Sequence, residues 1–307
     1  MTDARGTGWG VVTGDLGPET ERIVAGGLAL STEERLKSLL EWKGFTSFMS
    51  PSAVAVGADL DLMPIAQVVG FSGGVLRQGI LRTTEPGQKR ARSGRPRWRE
   101  RTGPIQSWDT VRRRALDRLR RQAQLLGANA VVGLKPQRKI QGSEVDALYI
   151  EYLFTGTAVR VDSLRRPRDA PPLLTLASAQ ELWRLLRAGI EPVGVAGSFA
   201  SVQTTVSFSS QRLAIGTGRW APNIELEDLT KSAYEARRLA LERLRADARG
   251  LDAAGLIGID MEHQERSGRK LPGVEITVHL LATALRERAE SGLKPQPIVR
   301  LRSPDGV

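Results

Sequence analysis

The chain repeats itself. Ala115–Leu134 reads ALDRLRRQAQLLGANAVVGL and Ala240–Ile259 reads ALERLRADARGLDAAGLIGI, identical at nine of twenty positions without a gap. Whatever architecture suits one segment must suit the other, so the chain is read as units of one design rather than as a single long domain. Two more matches keep the same order. Ser31–Leu40 parallels Ser178–Leu186, each with the pattern of a capped short helix, and Ala147–Val161 parallels Val274–Arg286. Each unit is therefore expected to run short helix, strand region, long helix, strand, turn, strand.

Periodicity assigns the pieces. Val111, Ala115, Leu119, Ala123 and Leu126 fall on one stripe of a helix, as do Ala233, Ala236, Ala240, Leu244, Ala248 and Leu251. Gly127 is placed to end the first long helix in the left-handed conformation, and Asp252 stands at the same place after the second. Ala130–Leu134 and Gly255–Ile259 are short apolar runs suited to buried strands. The closing strands alternate: Tyr149, Glu151 and Leu153 share one face, Ile150, Tyr152 and Phe154 the other, while Glu275, Thr277 and His279 lie opposite Ile276, Val278 and Leu280. One apolar face calls for a helix; the more polar face is expected to be wet or to meet a neighbouring subunit. The fold class is α+β: two tandem copies of a compact domain with a long helix packed on a mainly antiparallel sheet. Repeat one is assigned to 31–161 with a basic insertion at 82–104, a proline-rich linker to 162–177, repeat two to 178–286, and tails to 1–30 and 287–307.

Composition removes several function classes. There is no cysteine, which excludes disulfides, thiolate metal ligands and a cysteine nucleophile. No apolar run approaches the roughly 20 residues that span a bilayer, and Met1–Gly17 lacks the order of a signal peptide, so a cytoplasmic protein without a transmembrane segment is expected. Arg82–Arg101, in the insertion, supplies about half of the net charge of +11. Its Arg90, Arg92, Arg95, Arg97, Arg99 and Arg101 form a candidate polyanion-binding arm for nucleic acid or an anionic membrane, alongside the plainer reading of a solubilising loop.

Leu126-Gly-Ala-Asn-Ala-Val-Val-Gly133 after a long Ala/Leu/Arg helix, closed by a strand ending in Gly156-Thr-Ala-Val159, resembles the YbjQ-like family, named for a heavy-metal-binding domain. The likeness runs over Ser31–Val161 and again over Ser178–Arg286, where the motifs read Leu251–Gly258 and Ala282–Leu285. It implies a compact domain that assembles into a homo-oligomeric ring, typically a pentamer. With two copies per chain, five chains give two stacked rings, or a pseudo-symmetric single ring forms with another chain count.

The family name raises metal binding, and Glu262, His263 and His279 are the candidate ligands for a divalent metal; no other cofactor is indicated. The plainer alternatives are a solvated polar turn around Asp260–Glu265 and a structural histidine on a sheet. Gly6–Gly10 and Gly70–Gly74 lack the Lys-Ser/Thr that phosphate loops need, the latter reading as a strand turn, and no Gly-x-Ser-x-Gly elbow occurs. The expectation is a non-enzymatic, ring-forming protein that binds an unidentified ligand or partner.

Overall fold

The computed structural model describes residues 17–42, 44–58, 62–77, 98–141, 147–162, 164, 170–204, 225–267 and 274–287. Three helices, α1 (Pro18–Val24), α2 (Leu30–Glu41) and α3 (Pro51–Ala58), lead into β1 (Leu62–Arg77). There follow β2 (Trp98–Glu100), α4 (Gly103–Leu125), β3 (Ala130–Gln141), β4 (Ala147–Val161), β5 (Leu173–Leu174), α5 (Ala179–Arg187), β6 (Ile190–Thr204), α6 (Glu227–Gly250), β7 (Gly255–Ser267) and β8 (Val274–Glu287).

The strands form two four-stranded sheets, β1-β4-β3-β5 and β2-β6-β8-β7. In each, one long antiparallel strand pairs with the closing strand, and the registers coincide: β1 bulges between Pro64 and Ala66 against β4, and β6 between Pro192 and Gly194 against β8. A second bulge falls between Val132 and Lys135 in β3 and between Ile257 and Asp260 in β7. At both, a glycine holds positive φ, Gly133 at 62° and Gly258 at 59°. Each sheet also takes one short strand from the other half of the chain. β5 adds to β3 in parallel, and β2 adds to β6 in antiparallel.

Each long helix covers the apolar face of its own sheet. Val111, Ala115, Leu119 and Ala123 pack with Val68, Ile150 and Phe154 in one core; Ala236, Ala240, Leu244 and Ala248 pack with Ala200, Ile276, Val278 and Leu280 in another. Gly70 lies in the middle of β1 rather than in a turn. A Cβ there would stand 2.1 Å from the Ala115 carbonyl oxygen, so its lack of a side chain lets the helix close on the strand. At the matching point of β6, Ser198 donates from Oγ to the Ala240 carbonyl at 2.8 Å.

Other expectations change as well. The cap at Ser178 is present as a full capping box with Glu181, but α2 begins at Leu30 with Ala29 as its N-cap, so Ser31 does not cap it. The segment built like Thr175–Ser178 is Ser47–Ser50. Ser47 and Thr175 contact Thr157 and Thr283 respectively at 3.3 Å through their hydroxyls, and α3 and α5 follow. Leu173 and Leu174, expected in the linker, are strand. Asp260–Glu265, expected as a polar turn, lies within β7.

Both long helices end in the left-handed conformation, at Gly127 (φ 71°) and Asp252 (φ 55°). Because a side chain at such φ costs about 1–2 kcal/mol, Gly127→Ala should destabilise the fold by about 1 kcal/mol and Asp252→Gly should not; urea unfolding at constant m-value measures both.

Candidate functional site

The most heavily built place in the molecule is the join between its halves. α4 is buried on two sides: besides the stripe against its own sheet, Trp108, Arg112 and Leu116 are buried. Trp108 meets Tyr152 of β4 edge-on at 5.9 Å between ring centroids, and on its other side Phe199 of β6 at 5.7 Å and His279 of β8 at 4.5 Å. The face of the second sheet opposite α6, carrying Val195, Phe199, Ser201, Glu275, Thr277, His279 and Leu281, is thus dry and closed by a helix from the other half. The layers run α6, second sheet, α4, first sheet.

Polar groups on this face are mostly paired, although the buried Nε of Arg112 has no hydrogen-bond partner among the described residues. Arg112 donates from Nη1 to Asp247 of α6 and from Nη2 to Asp109, each at 3.2 Å, and the Gly197 N–H donates to the same Asp247 carboxylate at 2.8 Å. Buried Glu275 receives the Ser201 hydroxyl at 2.7 Å and lies 3.2 Å from the Arg101 guanidinium. Arg138 of β3 bridges to Asp260 and Glu262 of β7 and donates from Nε to the Tyr152 hydroxyl at 2.9 Å. Arg243 of α6 donates to the Phe199 carbonyl and to Glu100 of β2. Removing one partner of such a buried pair leaves the other uncompensated, so the join is held in one register.

Among the described residues nothing covers the corresponding face of the first sheet. Phe71 and Phe199 occupy matching positions in register, yet Phe71 is 46% exposed and Phe199 is 3% exposed. Val75 and Tyr149 on the same face are also exposed, Tyr149 by 51%. These exposed apolar side chains stand on a face that also carries Glu151, Gln137 and Lys139.

The candidate metal ligands do not converge. Glu262 and His279 are cross-strand partners on one face, but Glu262 is held by Arg138 and Gln264, and His279 is enclosed by Trp108 and Phe199. His263 pairs with Val278 on the opposite face, 3.5 Å from Glu265. Among the described residues no group of three or more His, Asp or Glu could hold a metal ion, so these side chains do not fit the ion that the family name implies. Of the basic arm, Arg90, Arg92, Arg95 and Arg97 lie outside the described residues. Arg99 belongs to β2, and Arg101 is buried against Glu275, where it serves the join. Gly6–Gly10 also lies outside the described residues.

A cavity of about 480 Å³ between α1, α2 and α4 is lined by Arg22, Glu33, Arg121 and Gln124, but Arg22 pairs with Glu33 and Arg121 donates to the Gly26 carbonyl at 2.9 Å. These contacts already occupy those arginines. No helix among the described residues is long and apolar enough to cross a membrane.

Sequence reasoning missed Trp108, Arg112 and Asp247. The available signal was that α4 carries large side chains off its apolar stripe: Trp108 occurs where α6, aligned by the repeat, has Ala233.

Residues 102–162, from the start of α4 to the end of β4, match the family model described as "Putative heavy-metal-binding", of the YbjQ type. Over 225 residues the chain is 27% identical to the encapsulin nanocompartment protein Rv1762c of Mycobacterium tuberculosis, covering 71% of this chain and 77% of that protein.

Two outcomes test the join. Trp108→Ala should cost about 3–5 kcal/mol of stability by chemical unfolding, as expected for truncating a fully enclosed aromatic ring. Burial, with the Arg138 cation beside it, holds the His279 imidazole well below its ordinary 6.5. The folded protein keeps that ring neutral while the unfolded chain takes up a proton below 6.5, so this contribution to stability falls as pH drops through that value. Melting temperatures between pH 7.5 and 5.5 should show the fall, and His279→Leu, the residue found at the matching Leu153, should flatten it.

Proposed function

We infer that the chain is a non-catalytic, self-assembling protein built from two tandem copies of one domain, whose task is to form a homo-oligomeric ring. The observation that carries this reading is the unequal fate of two like surfaces. On the second sheet the face with Phe199 and His279 is closed by α4 of the same chain. Among the described residues nothing covers the face of the first sheet with Phe71 and Tyr149 or the outer side of α6, the counterpart of α4, where Tyr234 is exposed. A second chain placing α6 on the open face would repeat between molecules the contact already made within one. Contacts of this head-to-tail kind close into rings when the rotation per step divides the circle.

The layered join supports a single ring of side-by-side domains rather than two stacked rings. A closed ring of whole chains then holds an even number of domains, so five domains in a circle are not available to it. The likeness to a nanocompartment protein supports a role in a large protein assembly, with the ring as its unit. The pairing of polar groups in the join and the scattering of Glu262, His263 and His279 support binding of protein rather than of a metal ion or a substrate.

Light scattering on the purified chain should give a mass of several chains that persists at high salt, since the exposed Phe71, Val75 and Tyr149 on the open face would lose apolar surface to water on contact. Phe71→Glu combined with Tyr149→Glu, both exposed within one chain, should lower that mass while the far-ultraviolet circular dichroism stays unchanged. A one-chain mass for the unaltered protein would overturn the reading.

A further inference from the structure

The edge of β7 is the second unfinished surface, and the chain itself shows what fits it. In the first half the matching edge, β3, is filled by the segment that opens the second half. The Leu173 N–H donates to the Asn129 carbonyl at 2.9 Å and the Thr175 N–H to Val131 at 3.1 Å. In return the Gly133 N–H donates to Ala177 at 2.8 Å and the Leu134 N–H to Thr175 at 3.2 Å. Gly133 is the bulge residue, and its positive φ belongs to the backbone that makes these bonds. α5 then folds over the edge, burying Leu173, Ala179 and Leu182 with Val132 and Val159.

The same filling segment stays anchored to its own sheet. The Leu176 N–H donates to Thr283 Oγ1 at 3.1 Å and the Ala177 N–H to Thr175 Oγ1 at 3.1 Å. In the first half Ser47, Phe48 and Met49 are anchored alike: the Phe48 N–H donates to Thr157 Oγ1 at 3.0 Å and the Met49 N–H to Ser47 Oγ at 2.9 Å. What differs is the outer side. Leu173 is 2% exposed, and Phe45, which stands in its place, is 49% exposed.

β7 carries the matching receptor. Among the described residues it is an edge strand, with Gly258 at positive φ where β3 has Gly133, and Ile259, in the place of buried Leu134, is 50% exposed. Ile257 and Met261 beside it are exposed as well. The Gly255–Ile259 end of this edge is apolar and is a template for another strand, while Asp260–Arg266 is largely charged or polar.

We propose that Phe45–Ala58 of a second copy of this chain adds to the β7 edge, with Phe45 and Thr46 as a short parallel strand beside Gly255 and Leu256 and α3 folding over Ile257. By the pattern of the first half, the Phe45 N–H donates to the Ala254 carbonyl, the Ser47 N–H to Leu256, the Gly258 N–H to Met49 and the Ile259 N–H to Ser47. Each chain then has one donor end and one acceptor edge, a form of strand addition that gives assembly a direction. This rests on the self-assembly reading and assigns it a second contact, distinct from the Phe71 face.

The absence of cysteine makes the test clean. Phe45→Cys and Gly255→Cys are made in two separate proteins; Phe45 is exposed, and a Cβ at Gly255 meets nothing within 4 Å. After oxidation the mixture should yield a two-chain band on a non-reducing gel in which one chain carries each substitution, far exceeding either protein alone, and the double variant should yield a ladder of linked chains. Phe45→Cys with Met261→Cys, out of register, should not. If light scattering gives several chains but the in-register pair forms no bond between chains, strand addition is overturned, the self-assembly reading stands and the edge is free for a different protein. A disulfide closing within single chains would equally overturn it, and a one-chain mass would remove both readings.

Discussion

The structure depends on the enclosure of Trp108. A helix that packs on one sheet needs only an apolar stripe, and α6 has little more: its buried side chains are Ser232, Ala236, Ala240, Leu244 and Ala248. α4 must satisfy two sheets, and Trp108 is large enough to reach from Tyr152 on one to Phe199 and His279 on the other. Because the ring is enclosed from both sides, neither half can shift without opening a cavity, and the arginines flanking it would lose their carboxylates at the same time.

From that contact the rest of the arrangement follows. With α4 lodged on the second sheet, the chain before it is led past the β6 edge and pairs there as β2, and the chain after β4 is led back to the β3 edge and pairs there as β5. Each half is completed by the other, and the polar residues of the second sheet's outer face are drawn into a dry environment where each needs a partner. Ser201 and Arg101 provide one for Glu275, and the low-polarity surroundings of His279 keep it neutral. The family name points to metal chemistry, whereas these side chains are occupied in holding two halves of one chain together. What the join leaves uncovered among the described residues, a sheet face and a strand edge, is what it uses up on its other side.

Much of the architecture was legible in the amino-acid order. The long helices, their left-handed ends at Gly127 and Asp252, the alternation along β4 and β8 and the α+β class follow from periods of 3.6 and 2 and from glycine's freedom at positive φ, all of which are local. The short helix at Ser178 was readable from its capping box for the same reason. Its partner in the first half was misplaced at Ser31 because the likeness there is of composition, while the true correspondence, Ser47–Ser50 with Thr175–Ser178, lies in hydroxyl contacts to Thr157 and Thr283 more than a hundred residues away.

What the sequence by itself determined, then, is the inventory of parts: long helices on antiparallel sheets, read twice. What only the tertiary structure decided is which surfaces those parts hide. Phe71 and Phe199 sit at matching places on strands of the same design, and nothing adjacent to either distinguishes an exposed ring from a buried one. The difference arises because α4 arrives from the far half of the chain to cover Phe199, and no element within the described residues arrives to cover Phe71. The placement of Glu262, His263 and His279 likewise comes from strand pairing, which sets His263 on the opposite face and gives Glu262 to Arg138, a residue 124 positions earlier.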